Sequence, residues 1–247
     1  MKRLEGKTAL VSGGASGIGA AAVRACAAEG AQVVIADIVD EPGRALAAEF
    51  DDQVVFTHLD VTDATQWMDA VSAAKHTFGQ LNVLVNAAGI MSPPAPIEDF
   101  DRGAWDRMLN VNLTGSMVGI SAAVATLKQS SPASIVNISS YAGIRGVAGR
   151  HAYTASKWGV TGLTKSCALE LADSGVRVNS VHPGGVRTPM LAEELKSAPP
   201  EMLEATSTLV RLAEPEEIAS LIVFLASDES SFSTGAEFLV DGGVSAG

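Results

Sequence analysis

Short runs of β-branched and aliphatic residues alternate along the chain with longer stretches whose apolar positions recur at helical spacing. The runs predict strands over 8–11, 33–37, 54–58, 83–86, 134–139, 177–181 and 237–240. The stretches between them predict helices over 18–29, 43–49, 64–78, 104–128, 152–172 and 215–226. The strands are nearly continuous in apolar character rather than alternating, as expected of strands covered on both faces. This order predicts an α/β fold, a doubly wound parallel sheet of about seven strands with helices on both faces. Right-handed crossovers then bring the C-terminal ends of the strands to one edge, where ligands bind in open α/β sheets. No repeat or linker divides residues 1–247, so a single domain is expected.

Composition narrows the function. With 47% hydrophobic and 18% charged residues the chain has the material for a core and is not disordered. A net charge of -11 and the lack of any Lys/Arg run argue against a nucleic-acid partner. The two cysteines, Cys26 and Cys167, lie far apart in apolar helical stretches and read as small buried hydrophobes. Lys2 and Arg3 precede small apolar residues, but Glu5 and several glycines interrupt any signal-type apolar segment, so a cytoplasmic location is expected. The uncharged run 108–127 has membrane-spanning length; Asn110, Asn112, Thr114, Ser116 and Ser121 make it too polar for lipid, and a helix buried against protein, in this subunit or another, fits better. No membrane partner is expected.

The candidate chemistry falls at the ends of the predicted strands. Gly13, Gly14, Ser16, Gly17, Ile18 and Gly19 link the first strand to the first helix. Glycines permit a sharp turn and close approach of a ligand, and the helix N-terminus offers N–H groups and positive dipole to a pyrophosphate. Asp37 closes the second strand 18 residues after Gly19, where a carboxylate would accept from a ribose 2′-hydroxyl and repel a 2′-phosphate. With no Arg or Lys in the loop or beside Asp37, NAD is expected as cofactor over NADP. Asp60 and Val61 end the third strand, within reach of an adenine; a helix cap at Thr62 or Asp63 makes plain capping an equal alternative for Asp60. Asn86, Ala88 and Gly89 end the fourth strand.

Tyr153 and Lys157 are four residues apart, on one face of a predicted helix. A free phenol titrates near pH ~10, and a neighbouring ammonium favours the phenolate. Lysine together with a nicotinamide cation would bring the phenol toward neutrality, where it can exchange a proton with an alcohol or carbonyl. Ser140 follows the fifth strand, thirteen residues before Tyr153, and its hydroxyl could hold a substrate oxygen. His58, His76, His151 and His182 show no metal-ligand spacing, and His182, before Pro183, reads as a packed histidine.

These motifs together resemble the short-chain dehydrogenase/reductase family in its single-domain form, over essentially the whole chain: the loop Gly13 to Gly19, Asn86-Ala87-Ala88-Gly89, Asn112, Ser140, Tyr153-x-x-x-Lys157, and Pro183-Gly184 followed by Thr188. The resemblance implies a Rossmann-type fold and a nicotinamide-dependent oxidoreductase acting on CH–OH groups. It implies Tyr153 as acid/base, Ser140 orienting the substrate oxygen, and Lys157 on the nicotinamide ribose. Asn112 would hold a proton-relay water, and Thr188 and the backbone near Val186 would fix the carboxamide. It implies also a homotetramer built on the helices over 104–128 and 152–172 and the C-terminal strand. Ser12 stands where threonine is usual, and Ala87 where a second asparagine is usual, so a softer turn is expected at Ala87.

For the substrate, residues 91–96, 142–147, Gly185, Val186 and 190–209 are pocket candidates, with a lid expected at about 187–211. That segment carries Arg187, Lys196 and Arg211 against Glu193, Glu194, Glu201 and Glu204, a net of -1, where docking an acidic carrier would need a basic surface. The stretches 58–62, 181–184 and 226–237 resemble most the bacterial 3α(or 20β)-hydroxysteroid dehydrogenase branch. A steroid-like or other apolar secondary alcohol is the leading expectation. The alternatives are a 3-oxoacyl-thioester reductase of fatty-acid type and a dinucleotide-binding sensor that has lost catalysis; the acidic lid and Asp37 oppose the first, and intact Ser140, Tyr153, Lys157 and Asn112 oppose the second.

Overall fold

A computed structural model of the chain describes residues 2–195, 209 and 211–246. Its centre is one seven-stranded sheet in the order β3-β2-β1-β4-β5-β6-β7. The strands are β1 (Thr8–Ser12), β2 (Gln32–Asp37), β3 (Val54–His58), β4 (Val83–Asn86), β5 (Ala133–Ile138), β6 (Val176–Pro183) and β7 (Glu237–Val240). Every pairing is parallel. The chain steps outward from β1 to β3, returns to β4 beside β1, and steps outward again to β7, which is the expected doubly wound, Rossmann-type topology.

Side chains alternate across each strand and feed two cores. Ala9, Val11, Val33, Ile35, Val83 and Val85 face α1 (Gly17–Ala28) and α8 (Pro215–Ala226), meeting Val23, Cys26, Ile218 and Ile222. Leu10, Val34, Leu84 and Ile135 face the opposite layer, with Trp67 of α3 (Ala64–Phe78) and Ile120, Ala123 and Leu127 of α5 (Gly115–Gln129). Two further helices complete the frame, α4 (Arg102–Leu109) and α6 (His151–Leu171). The short α2 (Asp40–Ala47) begins three residues before the predicted 43–49, and α7 (Pro189–Leu195) falls in the 187–211 segment. The rest of that segment lies mostly outside the described residues.

The predicted single helix over 104–128 is interrupted. A wide π turn at Asn110–Thr114 separates α4 from α5. By length and composition alone Arg102–Gln129 could cross a membrane. Its small residues have partners within this chain: a Cβ at Gly119 would come within 2.6 Å of the Trp67 ring, and one at Gly115 within 2.9 Å of Val61. β6 extends two residues beyond its predicted end because β7 pairs there, His182 with Leu239 and Pro183 with Val240.

Trp67 joins this core to the sheet edge, since its buried indole N–H donates to the Val61 carbonyl at 3.0 Å. Trp67→Ala leaves a cavity under α5 and is expected to lower stability by about 3–5 kcal/mol, read from urea unfolding.

Candidate active site

The turn after β1 is shaped by two glycines. Gly13 has φ +66°, and a Cβ there would sit 2.6 Å from the Ala88 Cα, so the turns after β1 and β4 touch. At Gly19 a Cβ would run into the Gly13 carbonyl oxygen, so only glycine lets α1 start this close to the strand. Ser12 ties the two turns together: its hydroxyl donates to the Val85 carbonyl, and its own carbonyl accepts from the Ala87 N–H. That backbone bond holds the turn at Ala87, where a side-chain bond was expected to be missing. Ser16 is the N-cap of α1, yet its hydroxyl does not cap the helix. Thr188 faces Gly17 across a narrow gap; a Cβ at Gly17 would stand 3.1 Å from its methyl carbon.

Asp37 is 9% exposed, with one carboxylate oxygen accepting from Ala15 N–H at 2.9 Å and the other from Val39 N–H at 3.0 Å. It therefore stands over the glycine loop, as its spacing predicts. Asp60 is taken up by a local turn, accepting at Oδ1 from both Thr62 N–H and the Thr62 hydroxyl. The cap of α3 is Asp63, which accepts from Thr65 and Gln66. Val61 is occupied by Trp67 and Gly115. Asn86 donates to Asn137 at 2.8 Å, while its own Oδ1 is buried with no hydrogen-bond partner. An uncapped helix start, a glycine cradle and an orphaned buried acceptor fit a dinucleotide.

Ser139 and Ser140 lie beyond the end of β5. Ser140 caps a short turn, its hydroxyl accepting from Ala142 N–H at 3.1 Å. Tyr153 stands in the first turn of α6 and Lys157 one turn later, with Nζ 5.7 Å from the phenol ring centroid. Lys157 is buried and donates to the Ile138 carbonyl at 2.9 Å. Asn112, in the π turn, accepts from Ile90 N–H at 2.8 Å and donates to the Ile90 carbonyl at 3.0 Å and the Ser156 hydroxyl at 3.1 Å. Gly89 sits between: a Cβ there would be 3.3 Å from Asn112 Oδ1 and 3.6 Å from Lys157 Nζ.

A cavity of about 310 Å³ opens over these groups. Ile18, Gly89, Ser140, Tyr153, Lys157, Pro183, Gly184, Val186 and Thr188 reach it, whereas Asp37, Asp60, Val61, Asn86, Ala88 and Asn112 stand outside its walls. Of the expected pocket residues, Met91, Ala142, Val147, Gly185, Met190 and Leu191 line it. Pro94, Ala95 and Pro96 instead line a separate shallow groove. Arg150 and Tyr141 were not anticipated. Arg150 is 7% exposed, lines the cavity, and donates to the Ser92 carbonyl. A signal existed, because a cation at the N-terminal end of a helix opposes the helix dipole and needs a local reason.

The electrostatics differ from the simple expectation for the phenol. Burial raises the Tyr153 pKa most, the Ser140 hydroxyl and the Arg150 guanidinium pull it part of the way back, and the Tyr141 phenol adds to the rise. The protein groups alone therefore do not hold the phenol acidic. Burial also pushes the Lys157 ammonium down to about 8.

The geometry defines a class of protein: a dinucleotide fold carrying a serine, a tyrosine and a lysine around one cleft. A family model described as enoyl-(acyl carrier protein) reductase matches residues 13–245. The chain is 55% identical to 3-alpha-(or 20-beta)-hydroxysteroid dehydrogenase of Mycobacterium tuberculosis, over 99% of this chain and 92% of that one. It is 50% identical to trans-4-hydroxycyclohexanecarboxylate dehydrogenase of Sinomonas cyclohexanicum, over 99% and 95%. The crystal structure of levodione reductase superimposes with a TM-score of 0.94 at 32% identity, over 99% of both chains. The chain belongs to the short-chain dehydrogenase/reductase family. It is an oxidoreductase that interconverts secondary alcohols and ketones with a nicotinamide cofactor.

The buried lysine leaves a signature in stability. Its pKa in the fold is about 8, against an ordinary 10.5, so between those pH values the unfolded chain binds more protons and stability rises with pH. The stability difference between the wild type and Lys157→Met, from urea unfolding at stepped pH, should grow in favour of the wild type across that window. A flat difference would contradict the depressed pKa.

Proposed function

We propose that the chain is an NAD(H)-dependent dehydrogenase of apolar, ring-borne secondary alcohols of the steroid type. One observation carries this: the cavity above Ser140 and Tyr153 is walled by Ile90, Met91, Val147, Met190 and Leu191, which suit a hydrocarbon skeleton bearing one reacting oxygen. Two of its relatives are dehydrogenases named for hydroxylated ring-bearing molecules, a 3-alpha- or 20-beta-hydroxysteroid and trans-4-hydroxycyclohexanecarboxylate, which supports the same substrate class.

Asp37 supports NAD over NADP. Its carboxylate stands over the glycine loop at Ala15, and its neighbours Ser16 and Ile38 offer no cation to a 2′-phosphate. Gly13, Ser16, Gly17, Ile18 and Gly19 would cradle the pyrophosphate. Asp60, Val61, Asn86, Ala88 and Gly89 would border the adenosine and nicotinamide riboses, with Pro183, Gly184, Val186 and Thr188 beside the carboxamide. When bound, the dinucleotide supplies the hydride acceptor or donor and a positively charged ring. The protein's own part is proton handling. Tyr153 takes the hydroxyl proton of the alcohol, or returns it to the ketone oxygen, while the Ser140 hydroxyl holds that oxygen in place. Lys157 anchors the ribose side of the cleft, and Asn112, locked on Ile90, sets the floor of a proton path behind Lys157.

The thioester-reductase reading needs exposed cations beside the cavity to dock an acidic carrier. Arg187 is paired with Glu214 at 2.9 Å and Arg211 with Glu217 at 2.7 Å, which argues against it. We infer a cytoplasmic homotetramer; Met117 on α5 and Trp158 and Leu169 on α6 are exposed apolar side chains on the helices that would form it.

A panel of hydroxysteroids, cyclic alcohols and 3-oxoacyl esters, followed by NADH absorbance, tests the substrate class; turnover confined to the acyl esters would overturn it. Tyr153→Phe should lower turnover by orders of magnitude and leave NADH binding, read by fluorescence, nearly unchanged. Asp37→Ser combined with Ile38→Arg should shift the kcat/KM preference toward NADPH, and an unaltered preference would remove Asp37 as its cause.

A further inference from the structure

His182 is fully buried next to the catalytic end of the sheet, and both of its ring nitrogens are engaged. Nδ1 lies 2.9 Å from the Ser140 carbonyl oxygen and Nε2 lies 2.8 Å from the Ser180 hydroxyl. A carbonyl can only accept, so Nδ1 must carry the proton. Nε2 is then an acceptor, and the Ser180 hydroxyl donates to it. The imidazole is thereby fixed in one tautomer by two partners on different segments: Ser180 within β6, and Ser140 in the turn that leaves β5.

We propose that His182 is a positioning residue for Ser140, its Nδ1–H clamping the Ser140 backbone so that the serine hydroxyl stays aimed at the Tyr153 phenol and the substrate oxygen. This assignment rests on the proposed dehydrogenase reading. It follows from the chain geometry at this point. Ser140 has left β5, so sheet pairing no longer holds its carbonyl, and its hydroxyl is the largest of the influences that draw the Tyr153 pKa back down, ahead of the Arg150 guanidinium. A small rotation of the Ser140 peptide would swing that hydroxyl away from the phenol. Gly143 N–H, within the same turn, also donates to the Ser140 carbonyl at 2.8 Å, and the imidazole is the strut that ties that turn to β6.

The surroundings keep the ring neutral. Burial lowers its pKa, and the ammonium groups of Lys157 and Lys165 on α6 oppose a second cation. The Ser140 carbonyl at Nδ1 and Glu237 on β7 work the other way, but burial outweighs the first and the second is already paired with Lys165 at 2.6 Å. The Nδ1–H tautomer should therefore persist below the ordinary histidine pKa of 6.5.

The test has a structural and a kinetic arm, both on the full chain. Histidine ring-nitrogen NMR, with the His182 signal assigned by its loss in His182→Gln, should show a neutral Nδ1–H ring that titrates below the ordinary histidine value of 6.5. A ring protonated at Nε2 alone, or one titrating at the ordinary value, would overturn the assignment. His182→Phe keeps the ring shape and removes the donor; it should lower kcat for the alcohol by about tenfold while the KM for NAD stays within about twofold. His182→Gln, whose amide can still donate to the carbonyl, should restore most of kcat. In a Ser140→Ala background His182→Phe should cost almost nothing further, because the hydroxyl it positions is gone. Losses that simply multiply in the double variant, or a His182→Phe enzyme with unchanged kcat, would overturn the proposal while leaving the dehydrogenase reading intact. A wild-type protein that turns over no ring alcohol would overturn that reading, and this assignment with it.

Discussion

Keeping an ammonium inside the protein is the constraint around which the cleft is arranged. Lys157 is 5% exposed and, among the described residues, has no carboxylate paired with it; its pKa falls because burial penalises the charge. What offsets part of the cost is a neutral oxygen. The Ile138 carbonyl, left at the end of β5 as the strand stops, accepts from Nζ. Asn112 Oδ1 lies across Gly89 from it; a Cβ at Gly89 would stand 3.3 Å from that oxygen and crowd the approach. A carboxylate partner would have been cheaper for the fold but would have fixed the lysine in a salt bridge. A neutral acceptor leaves the charge available to a ligand.

The same arrangement accounts for the interruption of the long helix. Asn112 reaches both the N–H and the carbonyl of Ile90 from within the π turn, where the helix widens locally. The helix thus gives up regular bonding at one place to grip the segment that follows β4. Gly89 and Ile90, both on the cavity wall, are held by that grip rather than by the sheet.

How much of this the sequence discloses depends on the range of the forces involved. Elements with local signals were legible to the residue: α3, with Asp63 at its start and a left-handed Gly79 at its end, and α8, with Pro215 and the reciprocal Glu214–Glu217 cap. The strands were legible because burial on both faces leaves a continuous apolar run. The π turn was not, since its cause is a contact between residues 22 apart in the chain. Of the site, Ser140, Tyr153, Lys157 and Asp37 stand where spacing along helix and strand put them. Asp60 was ambiguous in the sequence, and its Oδ1 is spent on Thr62. The direction of the Tyr153 pKa was also hidden, because spacing reveals a neighbouring charge but not the depth at which the phenol is buried. Arg150 announced itself only by standing at the N-terminal end of α6; its part in the cavity wall depends on a contact with Ser92, 58 residues earlier, which no periodicity encodes.

The attachment of the 187–211 segment has an evolutionary side. The chain departs and comes back at one place: Val186 bridges to Ala213, Arg187 is pinned to Glu214, and Arg211 to Glu217, all at the start of α8. Because both ends are clipped to the same helix, the closure entropy of whatever lies between them changes only slowly with its length. Insertions, deletions or wholesale exchange between these clips would leave the sheet and the proton-handling groups undisturbed. A joint of this kind lets the chain between Arg187 and Arg211 vary in length without moving the sheet.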